Sequence, residues 1–131
     1  MVNILLVSHS EELARGLKKL AQQMVGDAVI IKAVGGSKDG SLGTDVDAVY
    51  QALNELNRED EVLIFLDMGS AVMNAELAFE FFSEAEQEKL FIVNQPMVEG
   101  AVVAAIEASA GKSAEEIIAF LKSEDLSKKI G

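Results

Sequence analysis

The chain has 131 residues, half of them apolar and a quarter charged, and its 22 acidic and 11 basic side chains leave a net charge of −11. That length builds one domain with a core of its own, and that charge is repelled by nucleic-acid backbones and anionic bilayer surfaces, which argues against both as partners. With no cysteine and a single histidine, the chain has neither disulfides nor a His/Cys zinc set, and the lack of cysteine suits a cytoplasmic protein.

Residues 2–7 are an apolar run interrupted only by Asn3, the pattern of a buried strand. The run has no basic flank and is too short for a signal peptide, and no later apolar run nears the ~20 residues of a membrane helix. Leu13, Leu17, Leu20 and Met24 then recur on one helical face, and Gly26 is the expected stop. Residues 28–34 read as the second strand, followed by a loop, 35–43, holding Gly35, Gly36, Gly40 and Gly43. Thr44 is the expected cap of a second helix, with Asp47 three residues on and Val46, Val49, Leu53 and Leu56 as its stripe. The third strand covers 62–66 and ends at Asp67; a third helix is expected over 70–83. Residues 90–93 form the fourth strand, broken at Gln95-Pro96. A helix rich in Ala and Val follows over 98–109, and Ser113 with Glu116 caps a last one ending near Leu121. The polar tail, 123–131, carries no assignment.

Strict alternation of strand and helix predicts a single doubly wound α/β domain over residues 1–131, with a mainly parallel sheet and helices on both faces. In such sheets ligands bind beyond the carboxyl ends of the strands, where the strand order reverses. For the order 2-1-3-4 that point lies between strands one and three. The residues there are Ser8-His9-Ser10 and Asp67-Met68-Gly69-Ser70, so the sole histidine falls beside an aspartate. A carboxylate that accepts the Nδ1 proton leaves the Nε2 lone pair free to attack. Two helix starts, at Ser10 and at Gly69-Ser70, offer amide donors to an anion such as a phosphoryl group. His9 and Asp67 are therefore the candidate catalytic pair, with Ser10, Gly36, Gly69 and Ser70 around the phosphate.

A solvated histidine, an aspartate that caps the next helix and a glycine that makes a turn would account for the same residues. The glycine loop lacks the Lys-Ser/Thr of a nucleotide phosphate loop, having Ser41-Leu42 instead, and reads as a flexible wall of the crevice. Glu11 and Glu12 come too late after the first strand to serve as metal ligands of an aspartate-phosphorylated receiver domain.

Four strand-end motifs together carry a resemblance over essentially the whole chain. They are Val7-Ser8-His9-Ser10, Gly35-Gly36-Ser37-x-x-Gly40-x-x-Gly43-Thr44, Leu66-Asp67-Met68-Gly69-Ser70-Ala71 and Pro96-Met97-Val98-Glu99-Gly100-Ala101. The chain resembles the mannose-type enzyme IIA family of the phosphoenolpyruvate-dependent phosphotransferase system, and within it the branch that serves dihydroxyacetone kinase. The resemblance implies that His9 is phosphorylated by the carrier HPr and paired with Asp67. It further implies that the group passes to ADP on the kinase L subunit, for phosphorylation of dihydroxyacetone on the K subunit. It calls for no cofactor and no resident metal.

Sugar-transport members carry two glycines and a proline after the aspartate, whereas Met68-Gly69-Ser70-Ala71 stands here. That favours the kinase branch over the alternative, an enzyme IIA feeding a sugar permease component. A binding module with a structural His9 is the non-catalytic alternative. Some kinase-branch members continue into carrier-like domains; since this sequence stops at Gly131, a separate carrier is the expected donor. The third and fourth predicted helices are apolar beyond one face, which together with the family's dimers points to a homodimer. Packing of those two helices on each other would explain the same pattern.

Overall fold

The computed structural model describes residues 1–56 and 59–128. Its elements in order are β1 (Val2–Ser8), α1 (Glu11–Val25), β2 (Ile31–Gly35), α2 (Val46–Glu55), β3 (Glu61–Leu66), α3 (Ser70–Phe79), α4 (Glu84–Gln87), β4 (Leu90–Val93), α5 (Met97–Ser109) and α6 (Ala114–Ser123). The sheet has the order β2-β1-β3-β4 and every pairing is parallel, as the alternation of elements predicts.

Side-chain alternation divides the core into two layers. Ile4, Leu6, Leu63 and Phe65 pack under α1, α5 and α6. Leu5, Val7, Val62 and Ile64 pack under α2 and α3. Small residues set the spacing on the first face: a Cβ on Gly100 would lie 2.9 Å from the Phe65 ring, and Ala101, Ala104, Ala105 and Ala108 are buried beside it. The apolar surface of α5 is largely consumed by this packing. Because α3 and α5 lie on opposite faces of the sheet, the two helices cannot bury each other.

Several boundaries differ from the sequence reading. In α1 the buried line is Ala14, Leu17 and Ala21, while Leu13, Leu20 and Met24 are exposed. The helix is thus rotated by about 60° from the leucine stripe, at 100° per residue, because alanines let it lie close to the sheet. The second strand begins at Ile31 rather than 28, since Gly26 turns the chain at φ +59 and the Gln22 amide holds the Gly26 and Val29 carbonyls. Asp45, not Thr44, caps α2 by accepting from the Asp47 amide. The third helix stops at Phe79, and Ser83 starts the short α4 through a capping box with Glu86. The Ser113–Glu116 box at α6 is present as read. Of the unassigned tail, Asp125 organises a turn with Ser127 and Lys128, and residues 129–131 lie outside the described residues.

Register brings the functional strand ends level. Ser8 stands opposite Gly35, and Val7 opposite Leu66. The Asp67 amide continues the ladder by donating to the Val7 carbonyl at 3.2 Å. Ser8, Gly35 and Asp67 therefore share the carboxyl edge of three adjacent strands.

Candidate functional site

From that edge the chain leaves β1 and β3 into two helices, and the site is built in the gap. The Asp67 carboxylate is its hub. One oxygen, Oδ2, accepts from the Ser8 hydroxyl at 2.8 Å and from the His9 amide at 2.9 Å. The other, Oδ1, lies 3.0 Å from His9 Nδ1. Partial burial pushes the Asp67 carboxyl upward, but the hydrogen bonds from the His9 amide, the His9 ring and the Ser8 hydroxyl outweigh it and hold it below the usual carboxylate range. An ionised carboxylate only accepts, so Nδ1 carries the proton. In the neutral ring Nε2 is then an acceptor, and the Ser70 hydroxyl, 2.8 Å away, donates to it.

Exposure matches these roles. The His9 and Asp67 side chains are 20% and 14% exposed, enough for a reacting group to reach the ring edge. Ser70 stands in the open beside it. The imidazole is held from within and presented outward.

The surrounding residues fall into two groups. Ser10 caps α1, its hydroxyl accepting from the Leu13 amide at 3.2 Å while its own amide donates to the Ser8 hydroxyl at 3.0 Å; its hydroxyl proton remains to donate outward. Gly69 begins α3 without any side-chain cap, so the first amides of that helix are unclaimed by a side chain. These two residues and Ser70 flank the imidazole. Gly36 sits differently: it is buried, turned at φ +81, and packed toward the Ser41 carbonyl and Glu11.

The glycine loop does form a wall. A Cβ on Gly35 would fall 2.6 Å from the Ser10 carbonyl oxygen and 2.9 Å from the Glu11 Cα, so only glycine lets β2 end against the first turn of α1. The Gly43 amide donates to the His9 carbonyl at 2.9 Å. Thr44, expected as a cap, instead accepts from the Asn74 amide and ties the loop to α3.

Sequence reasoning brought His9, Asp67, Ser10, Gly69 and Ser70 to one place but missed Ser8 as a member of the network. Its signal was a hydroxyl on the last residue of a strand that is apolar apart from Asn3, next to the only histidine. Among the described residues no three His, Cys, Asp or Glu side chains converge as a metal site, and no helix is long and apolar enough to cross a membrane.

The sheet thus presents an imidazole oriented by a carboxylate at its switch point, between β1 and β3. Residues 3–118 match the family model EIIA-man, PTS system fructose IIA component, and the chain belongs to that family. Among its relatives, the PEP-dependent dihydroxyacetone kinase 2 phosphoryl donor subunit DhaM of Listeria innocua is 38% identical over 90% of this chain and 94% of its own. The PTS-dependent dihydroxyacetone kinase phosphotransferase subunit DhaM of Lactococcus lactis is 42% identical, over 87% of this chain and 88% of its own. The Escherichia coli phosphoryl donor subunit DhaM is 36% identical over 90% of this chain, which spans only 26% of that longer protein. In structure the chain is similar to the unknown-function protein EF1359, with a TM-score of 0.83, 39% identity and 93% of each chain covered.

Proposed function

We propose that this protein is the phosphoryl donor subunit of a phosphoenolpyruvate-dependent dihydroxyacetone kinase, relaying a phosphoryl group through His9 in the cytoplasm. The observation that carries the reading is the imidazole whose Nδ1 is pinned to Asp67 and whose Nε2 faces outward under one movable hydroxyl. The Listeria innocua and Lactococcus lactis relatives, matched over most of their length, support the destination.

Phosphorylated HPr is the donor. The Nε2 lone pair attacks phosphorus as the bond to the donor nitrogen breaks, and the Nδ1 proton stays on the ring, where Asp67 stabilises the charge that develops. The Ser70 hydroxyl leaves Nε2 and donates to a phosphoryl oxygen. Ser10 and the first amides of α3 at Gly69 and Ser70 share the remaining charge. Gly36, buried behind the first turn of α1, supports this wall. In the second transfer a β-phosphate oxygen of ADP, held by the L subunit, attacks phosphorus and the electron pair returns to Nε2. The ATP formed phosphorylates dihydroxyacetone on the K subunit.

Repulsion shapes the partnership. A chain of net charge −11 repels free ADP, and magnesium held on the partner's side lowers that barrier. Met73 and Leu77 on α3, with Met68 before it and Phe81 after it, are exposed apolar side chains, and a second copy of the chain covers them in a homodimer.

The test is label transfer from the phosphorylated protein. Rapid loss to ADP with the L subunit and magnesium present, and hardly any to ADP alone, is expected. Efficient transfer to a mannose-type sugar permease component, with none to the L subunit, overturns the destination.

A further inference from the structure

We propose that Ser8 is a positioning residue that fixes the nucleophilic tautomer of His9 by dictating the direction of the hydrogen bonds around Asp67. The inference rests on the phosphohistidine reading for its consequence, but its structural core stands on Ser8, Asp67 and the first turn of α1.

Ser8 is fully buried, so water does not complete its hydrogen bonds. The Ser10 amide donates to its oxygen at 3.0 Å. An amide cannot accept, so the Ser8 oxygen is the acceptor in this bond and its single hydroxyl proton is left for another partner. That partner is Asp67 Oδ2, 2.8 Å away. The carboxylate therefore meets donors at Oδ2 from both Ser8 and the His9 amide, a setting that favours its ionised form. An ionised carboxylate turns its remaining oxygen, Oδ1, to Nδ1–H. The proton is thereby kept on Nδ1 and the lone pair on Nε2.

The direction is set at the start of a helix. Ser10 is the cap of α1, so the amide that begins the chain of bonds is held by the helix itself. A polar chain runs from backbone to hydroxyl to carboxylate to imidazole. With Asp67 ionised, each link has only one sense in which it can point, and Ser8 helps hold the carboxylate with Oδ1 turned to the ring.

His9 is the sole histidine, so its two ring nitrogens give an unambiguous nitrogen-15 NMR signature at a pH where the ring is neutral. The decisive pair is Ser8→Thr and Ser8→Val, which match in shape and differ in the hydroxyl. Ser8→Thr is expected to keep a protonated Nδ1 and an unprotonated Nε2, with labelling by phosphorylated HPr near the parent rate. Ser8→Val is expected to show a substantial Nε2–H population and labelling slowed roughly 10- to 100-fold, the effect of one lost bond to a charged group. Ser8→Ala, less demanding of space, should follow Ser8→Val. Identical tautomer patterns in the Thr and Val variants, or in Ser8→Ala and the parent, overturn the proposal. The tautomer is read without any partner protein, so failure of the parent to accept label would fault the relay and leave this result to be judged separately.

Discussion

Asp67→Asn keeps the side chain's size while removing its charge and its acceptor-only character. Two donors, the Ser8 hydroxyl and the His9 amide, converge on Oδ2 at 2.8 and 2.9 Å, so the amide oxygen of asparagine must take that position. Its NH2 group then faces His9 Nδ1 across the present 3.0 Å. An NH2 group donates, so Nδ1 must accept, and the ring proton moves to Nε2. The nucleophilic lone pair is lost with no change in shape. The same inversion in a Ser-His-Asp triad costs about 10,000-fold, a barrier increase of about 5 kcal/mol. Single-turnover labelling by phosphorylated HPr measures the loss, and thermal melting at neutral pH verifies that the variant is folded. Labelling within tenfold of the parent rate, with melting unchanged, would refute the argument that Asp67 sets the tautomer.

Other outcomes follow from the same geometry. Ser70→Ala removes a donor to the phosphoryl group and should slow transfer roughly 10- to 100-fold, while leaving melting within ~0.5 kcal/mol because the side chain is exposed; an unchanged rate contradicts that role. Gly35→Ala forces a Cβ onto the backbone of Ser10 and Glu11 and should cost ~1–3 kcal/mol in chemical denaturation, whereas Gly69→Ala, with φ −58 and open space at Cβ, should melt like the parent. The Asp67 carboxyl lies below its ordinary 3.8 in the folded state, so its stabilisation is complete above that pH and is lost as the pH falls through the lower folded value; an Asp67→Asn variant should lack this part of the acid dependence in pH-resolved melting. Met73 and Phe81 are 70% and 65% exposed, and sedimentation at micromolar concentration should give a dimer that Met73→Glu weakens; a monomeric parent rejects that interface.

The sheet was legible because its apolar runs and the capping residues between them point to one topology. The edges of elements were less so, for local reasons. Leu13, Leu20 and Met24 describe an apolar line on α1, yet Ala14 and Ala21 permit the closer packing that decides which side is buried. Ser83 looked like the end of one helix because a capping serine and a terminal serine are indistinguishable without the chain direction at Phe79–Phe82. His9 and Asp67 could be placed together from the switch-point rule alone, since each directly follows a parallel strand. Ser8 falls at the same point, but its role was not legible, because its importance lies in hydrogen-bond direction. That direction depends on the Ser10 amide being aimed at its oxygen by the first turn of α1.

The central claim is that Nε2 of His9 carries the phosphoryl group, and one measurement tests it most directly. The protein is incubated with phosphoenolpyruvate, enzyme I and HPr, its intact mass is recorded, and the label is located by phosphorus–nitrogen NMR. The account predicts a single phosphoryl group per chain, bonded to Nε2, stable to base and labile to acid, and absent from His9→Ala. Label that persists on the His9→Ala chain, or that resides on Nδ1, would contradict it.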